Sequence, residues 1–221
     1  MSSATTFKDL IELPSLPTLV KDLQMYLDEE RSRRQKFYEW IQEDQKAEFI
    51  QGEIVLHSPA TNEHTNAVGH LYRSSSIFVD LSAQGKVKTE KAMISLTRND
   101  YEPDLAFWRK EISDTFVPTQ THFPEPDFVV EVLSKSSTRR DRVIKFKDYA
   151  EHNITEYWII DPKKQVVEQY VLPKGKSEYL LWRKLTIHEE IESQVITGFK
   201  IPVLAIFDAA ANVAALKNLL G

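Results

Sequence analysis

The sequence contains no cysteine and only six glycines among its 221 residues. Without cysteine the chain cannot form disulfides, use a thiolate nucleophile or bind a metal through sulfur. A bound metal would therefore depend on Asp, Glu, His or backbone oxygen, which favours a hard cation such as magnesium. The sequence contains neither a Gly-rich phosphate loop nor the Gly-x-Ser-x-Gly elbow of serine hydrolases.

The chain also lacks long apolar runs and an excess of positive charge. No run approaches the roughly 20 residues that a membrane-spanning helix needs, and residues 1–6 lack the basic and apolar regions of a signal peptide. We therefore expect a cytoplasmic protein without a membrane span. The net charge of -5 gives no general attraction to nucleic acid, but basic residues are concentrated in segment 139–147.

Periodicity predicts a mixed α/β domain. Apolar residues at three- and four-residue spacing indicate a helix over 16–41, whose charged middle is typical of a solvated face but would also suit a dimer or partner contact. Further helices are predicted over 62–82, after 138 and at the C-terminus. Strands are predicted over 47–50, 53–57, 87–96, 103–108, 128–133, 156–161, 166–171, 179–183 and 191–196. This order predicts a mixed sheet with helices packed on it.

Glu131 interrupts an otherwise apolar strand. A buried carboxylate needs a cation, a hydrogen-bond network or a metal. Asp104 opens another predicted strand, which could lie next to it, whereas Asp127 would be about 13 Å from Glu131 along the same strand. Two close carboxylates can share magnesium, which would polarise a phosphodiester and activate water. The alternative is that each acid ends a strand or pairs with an arginine.

Lys145 is the candidate catalytic cation, because a lysine can orient the attacking water or offset charge on phosphate. Asp141 and Lys145 are also an ordinary i,i+4 helix pair. At about 100° per residue, Val143, Phe146 and Ala150 share one helix face and Lys145 lies nearly opposite. The wheel therefore predicts that Lys145 faces solvent unless the helix is covered on two sides, and both interpretations stay open.

His64 and the arginines of segment 139–142 are further candidates. His64 follows Asn62, the predicted N-cap of a helix, where it could help to bind an anion, act as acid or base, ligate a metal, or be purely structural. Arg139, Arg140 and Arg142 follow a Ser/Thr-rich helix start, which suits phosphate contacts but equally a solvated surface. The remaining histidines show no ligand spacing, so a zinc site is not expected.

Several segments together resemble the Uma-two family of restriction endonucleases in order and spacing. They are 48–54, 58–59 with 63–64, 102–105, 127–134, Asp141 with Lys145 and Tyr149, and 156–162. The resemblance covers about residues 39–208. It implies the restriction-endonuclease-like fold of the PD-(D/E)xK nuclease superfamily, which is a mixed central β-sheet flanked by helices.

The resemblance also implies roles for individual residues. Asp104 would be the acid of the "PD" and Glu131 the second acid, both as magnesium ligands, and Glu48 would be a further acid. The superfamily lysine would stand two residues after Glu131, where this chain has Leu133. Its role would therefore pass to Lys145.

The resulting expectation is a magnesium-dependent endonuclease acting on DNA, with manganese as a second usable ion. Residues 1–38 would be an N-terminal helical extension, longer than the usual family lead and suited to homodimer formation, and residues 39–221 the nuclease domain. Arg139, Arg140 and Arg142 would contact phosphates, with His64 as an accessory. One alternative is a nuclease fold without turnover that acts as a dimeric nucleic-acid-binding or scaffold protein, which Leu133 and the acidic net charge favour. Another is a carboxylate-pair hydrolase acting on a different substrate.

Overall fold

The computed structural model describes residues 7–42, 45–135 and 137–220. Its α-helices are α1 (Phe7–Ile11), α2 (Leu16–Trp40), α3 (Asn62–Ser82), α4 (Lys110–Ser113), α5 (Phe146–Glu151), α6 (Leu204–Phe207) and α7 (Ala209–Leu220). A π-helical segment, Arg140–Lys145, leads directly into α5.

The strands follow the predicted order with several additions. They are β1 (Ala47–Ile50), β2 (Glu53–Leu56), β3 (Gly85–Thr89), β4 (Met93–Ser95), β5 (Asp100–Tyr101), β6 (Leu105–Arg109), β7 (His122–Phe123), β8 (Phe128–Val132), β9 (Glu156–Asp161), β10 (Val166–Val171), β11 (Leu180–Thr186), β12 (Glu190–Glu192) and β13 (Lys200–Pro202).

The larger sheet has six strands in the order β11-β10-β9-β8-β6-β3. Strands β8 and β9 run parallel, and the other neighbours are antiparallel. A smaller sheet has the order β2-β1-β5-β4-β7, and β12 pairs with β13. The predicted α/β class, with mixed sheets flanked by helices and an N-terminal helix, is therefore confirmed.

Strand β8 is buried on both faces of the larger sheet. On one face, Phe128 and Val130 belong to a core that includes residues of α3, α6 and α7. On the other face, Val129 packs in a second core with Tyr149 of α5. Because side chains alternate along a strand, Glu131 shares the face of Val129, and α5 lies where it can supply partners for this acid.

One strand predicted from the sequence is two strands in the structure. The predicted strand over 87–96 breaks at Glu90 and Lys91, whose φ angles of 28° and 46° are left-handed. These residues carry the chain from β3 in the larger sheet to β4 in the smaller one. A second crossing runs back from β5 to β6 through Glu102 and Asp104. The two crossings place these acids where the sheets meet.

Helix α3 begins as predicted, but its cap differs from the expected one. Thr61 is the N-cap, and its hydroxyl accepts a hydrogen bond from the backbone N–H of His64 at 3.4 Å. The helix ends at Ser82 as predicted, and its C-cap, Ala83, has a left-handed φ of 51°. The segment 109–126, between two predicted strands, contains α4 and β7.

Helix α2 contacts the rest of the chain mainly through its C-terminal half. Glu30 binds Arg98 at 2.7 Å, and Arg34 binds Asp100 at 2.6 Å. Phe37 is buried in a small core with residues of β1. The helix is continuous across the predicted domain boundary at residue 38, and that boundary stays a prediction. Within the described residues, no helix combines the length and apolar character needed to cross a membrane.

Candidate active site

A cavity of about 980 Å³ lies at the carboxyl ends of β8 and β9, beside the two crossings between the sheets. Ligands commonly bind at the carboxyl ends of sheet strands. Both acidic and basic side chains line this cavity. The acids include Glu90, Glu102, Asp104 and Glu131, and the basic residues include Lys46, His57, His64, Lys91, Lys135, Arg142, Lys145, Lys163 and Lys164.

Asp104 is fixed to the strand that carries Glu131. Strands β6 and β8 are neighbours, with Leu105 opposite Val130, and Asp104 Oδ2 accepts a hydrogen bond from the N–H of Val132 at 2.7 Å. The predicted neighbourhood of Asp104 and Glu131 is thereby observed. Asp127 lies at the other end of β8, where its side chain binds Arg109.

The second oxygen of Asp104 faces two basic groups. Its Oδ1 lies 3.2 Å from His64 Nε2 and 3.4 Å from Lys46 Nζ. Burial would raise the pKa of Asp104, but His64, Lys46 and the Val132 amide hold it below its ordinary value. Asp104 is thus a carboxylate at neutral pH.

Glu131 is 4% exposed and shares its partners with other acids. Its Oε1 accepts hydrogen bonds from Lys145 Nζ at 2.8 Å and from the Tyr149 hydroxyl at 2.9 Å. Burial, together with the neighbouring carboxylates, raises the pKa of Glu131 well above its ordinary value although Lys145 acts in the opposite direction. A cation bound near Glu131 would favour its ionised form.

Lys145 joins three carboxylates in the interior. Its Nζ lies 2.8 Å from Glu131, 2.8 Å from Glu48 and 3.7 Å from Asp141. Burial would lower the pKa of Lys145, but these acids raise it well above its ordinary value. Burial acts to raise the pKa of Glu48, yet Lys145 and His57 lower it to about 2. One ammonium among three acids leaves an excess of negative charge.

The solvent-facing position predicted for Lys145 by the helical wheel is wrong. Lys145 is 1% exposed, whereas Val143 is 46% exposed. The buried face of this segment lies opposite Val143, and it packs where Glu131 and Glu48 contact the ammonium of Lys145. Asp141, Lys145 and Tyr149 share this buried face at four-residue spacing, and residues 140–145 form a π-helical segment. Single π-turns of this kind are frequent at functional sites.

His64 and Glu90 complete a second group around Asp104. His64 lies in the first turn of α3, and its hydrogen bond to Asp104 raises its pKa although burial opposes this. His64, Glu90 and Asp104 each offer one potential ligand atom, and these atoms lie within 4.8 Å of one another. Sequence reasoning missed Glu90, because it stood inside what was predicted to be a regular strand.

The predicted phosphate-binding arginines are only partly gathered at the cavity. Arg142 lines it, but its guanidinium binds Glu168 at 2.6 Å. Arg139 and Arg140 are not among the residues that line the cavity. Lys163 and Lys164, in the turn after β9, do line it and were missed, although the Asp161-Pro162 stop before them marked that turn.

The chain is similar to a family of known proteins over most of its length. The model of the family described as "Uma2: Putative restriction endonuclease" matches residues 34–204. The chain belongs to the Uma2 family. The match begins inside α2, and the family predicted from the sequence motifs is confirmed. Membership in Uma2 supports nuclease function and a nucleic-acid substrate.

A solved structure shares the fold. It is the crystal structure of a "putative nuclease belonging to DUF820" from Anabaena variabilis ATCC 29413, with a TM-score of 0.65 and 14% sequence identity over 80% of this chain and 96% of that chain. At this identity the likeness establishes the fold alone. The comparison with curated proteins found no significant match.

Proposed function

We propose that this Uma2 protein is a divalent-metal-dependent endonuclease that hydrolyses DNA phosphodiester bonds in the cavity. The observation that carries the proposal is the convergence of Asp104 and Glu131 from adjacent strands on one cavity, with Lys145 bound to Glu131 and Glu48 behind them. Two acids and a lysine are the parts that metal-assisted phosphodiester hydrolysis requires.

The residues present fit a hard divalent cation. Asp104 and Glu131 offer carboxylate oxygens of the type that magnesium and manganese prefer, and the acids outnumber the ammonium groups that neutralise them. Asp104 and Glu131 would hold the ion, which when bound lowers the pKa of a coordinated water and polarises a phosphate oxygen. Glu48 supports the site indirectly, because it fixes the ammonium of Lys145.

The remaining residues have distinct proposed tasks. Lys145 and Tyr149 orient the Glu131 carboxylate through their hydrogen bonds to Oε1. Lysines around the cavity can bind phosphates by charge, and Lys163 and Lys164 are exposed at its rim. Arg142 would need to exchange Glu168 for a phosphate, while Arg139 and Arg140 would act outside the cavity if they bind DNA.

The experiment is a plasmid-nicking assay with magnesium or manganese, using Asp104→Asn and the matched control Asp127→Asn. We expect Asp104→Asn to abolish nicking and Asp127→Asn to retain it, because Asp127 lies at the far end of β8. Nicking by Asp104→Asn at the wild-type rate would contradict the proposal.

A nuclease fold without turnover is the second candidate, and one observation favours it. Lys145 is 1% exposed and bound to acids, which suits a structural role as well as a catalytic one. This candidate predicts that the wild-type protein binds DNA in a fluorescence-polarisation assay but does not cut it with either metal.

We also propose that the protein is a homodimer whose contact includes the N-terminal half of α2. Exposed apolar side chains on this half support the contact, namely Val20, Leu23, Met25 and Tyr26, each 46–55% exposed. Light scattering of the full chain would test it. We expect a dimer that Leu23→Asp converts to a monomer, and a monomeric wild-type chain would contradict the proposal.

A further inference from the structure

We propose that His64 and Glu90 join Asp104 as ligands of the bound cation, so that the site prefers first-row transition ions such as manganese over magnesium. This inference rests on the proposed function, because Asp104 is a metal ligand in the proposed nuclease site and in the group with His64 and Glu90. It adds two ligands and a metal preference that the paired carboxylates alone do not supply.

The geometry of the three side chains supports a common ion. Their potential ligand atoms lie within 4.8 Å of one another. Two ligand atoms that each lie about 2.1 to 2.2 Å from one ion are separated by roughly 3 to 4.4 Å, depending on the angle between them. The group therefore needs little contraction to enclose a cation.

Two of the three side chains are held in place by other contacts. Asp104 Oδ2 accepts a hydrogen bond from Val132, which leaves Oδ1 facing His64 Nε2. His64 is anchored at the start of α3, where its backbone N–H donates a hydrogen bond to the hydroxyl of Thr61. Both ligand atoms are thus presented by backbone-fixed residues, and preorganised ligands bind ions more tightly.

Glu90 reaches the site because the backbone departs from its strand. Glu90 and Lys91 both have left-handed φ angles, which are unfavourable for side chains other than glycine and asparagine. Without this double turn, β3 would continue straight and Glu90 would not lie beside Asp104. The exposed carboxylate of Glu90 closes the group from the cavity side.

A separate observation also points to a ligand. Glu102 is 4% exposed and lines the same cavity, and its Oε2 is buried without a hydrogen-bond partner among the described residues. A buried carboxylate oxygen is costly to leave unsatisfied. A coordinated water on an ion at Asp104 would supply the missing donor, because water bound to a cation is a strong hydrogen-bond donor.

Lys46 occupies part of the space that the ion would take. Its ammonium lies 3.4 Å from the oxygen of Asp104 that would ligate. A divalent ion would displace the ammonium of Lys46 towards the cavity, where it could form an ion pair with a substrate phosphate. This oxygen of Asp104 therefore already has a cationic partner in the structure.

The chemistry of the ligands sets the preference. Magnesium is bound mainly by oxygen and keeps much of its water. Imidazole nitrogen is a ligand for transition ions, and affinity rises from manganese along the first row. An imidazole added to the carboxylate ligands thus favours manganese over magnesium.

The test is a titration of manganese alone into the full chain without nucleic acid, with free Mn²⁺ followed by electron paramagnetic resonance. We expect His64→Gln and Glu90→Gln each to weaken binding on the order of tenfold or more. The matched control is Glu63→Gln, which removes an exposed acid that lines the same cavity beside His64 and should bind manganese as the wild type does. Magnesium competition should be weak for the wild type and stronger, relative to manganese, for His64→Gln.

The inference is overturned if the wild type binds no manganese, if either variant binds it with unchanged affinity, or if magnesium competes equally. Its failure differs from that of the proposed nuclease. If both variants lose manganese binding but the wild type does not cleave DNA, the proposed cation site is supported and the proposed nuclease function is contradicted. Metal-dependent cleavage with unchanged manganese binding in both variants would leave the nuclease and remove the new ligands. Circular dichroism of each variant confirms that it is folded.

Discussion

Glu131 and Glu156 are both buried acids in neighbouring parallel strands, yet their surroundings differ completely. Glu131 lies near the carboxyl end of β8, and Glu156 begins β9 at the opposite end of the pair. They also point to opposite faces of the sheet. Val130 and Trp158 belong to the same core; since side chains alternate along a strand, Glu156 shares the face of Trp158, and Glu131 lies on the face opposite to Val130. Burial raises the pKa of both acids.

The partners of the two acids distinguish a structural carboxylate from a candidate catalytic one. Within the described part of the chain, the donors to Glu156 are all neutral: Trp158 Nε1, Gln169 Nε2, Ser193 Oγ and the backbone N–H groups of Gln194 and Val195. Glu131 has a lysine, a tyrosine and further acids around it, and it lines the cavity. A saturated carboxylate fixes the fold, while a crowded one beside a cavity can receive a cation or substrate.

The largest effect should come from removing the cation on the Glu131 side. Lys145→Met leaves Glu48, Glu131 and Asp141 buried without their shared ammonium. We expect a loss of about 3 to 5 kcal/mol in the free energy of unfolding, measured by urea denaturation. Lys147→Met, on the exposed side of the same segment, should change it little. Equal stability of Lys145→Met and wild type would mean that the acids are neutral without the lysine.

Glu131→Gln should separate activity from stability. It removes the proposed ligand but keeps the shape of the side chain, so we expect metal-dependent nicking to fall by at least about 100-fold, with the midpoint of thermal unfolding nearly unchanged. The measurement is the nicking rate with Mg²⁺ or Mn²⁺, normalised to folded protein. Retained cleavage would remove Glu131 from the catalytic site.

Glu156→Gln should give the opposite result. The amide nitrogen of Gln cannot accept the hydrogen bonds that one carboxylate oxygen of Glu156 now accepts, and these donors would lose their partner. We therefore expect a loss of about 1 to 3 kcal/mol in the free energy of unfolding. The nicking rate per folded molecule should stay at the wild-type level. If the variant were stable but inactive, the contrast between the two acids would not hold.

The smallest effect concerns Glu168 in β10, a buried acid that binds two more exposed cations, Arg142 and Lys184. Burial would raise the pKa of Glu168, but these two cations lower it. A lowered pKa stabilises the fold above the ordinary carboxyl pKa of about 4.5, and this stabilisation is lost as pH falls through the lowered value.

Glu168→Gln should therefore cost less than about 1 kcal/mol at pH 7. The difference from wild type should shrink when unfolding is measured at about pH 3. A difference that grows towards acid pH would show that Glu168 is not stabilised as a carboxylate. Comparison with Glu156→Gln would then separate an acid paired with cations from one that accepts neutral hydrogen bonds.

The sequence predicted the parts of the site that depend on strand pattern and motif spacing. An acid at the start of one predicted strand and an acid within another led to Asp104, which directly precedes β6, and to Glu131, which lies in the neighbouring β8. Sequence pattern does not show how the surroundings of Glu131 and Glu156 differ, because each is an acid in a largely apolar strand. Their roles depend on donors from distant segments, and only the folded chain brings those together.

Other features were beyond local reasoning for the same physical reason. A helical wheel shows which residues share a face but not which face is buried, and the face of Lys145 is buried because Glu131 and Glu48 from distant strands contact its ammonium. The strand pattern of 87–96 continues through Glu90, and the left-handed turn there depends on the packing of two sheets. Tertiary contacts override local propensity at both places, and both lie at the candidate site.

The two crossings between the sheets carry a consequence for mechanics. Glu90 belongs to the link from β3 to β4, and Asp104 belongs to the link from β5 back to β6. An ion held by both residues would tie one covalent connection to the other, so part of its binding energy would resist separation of the two sheets. Metal occupancy would then slow amide hydrogen exchange in β4 and β5, at a distance from the ion itself.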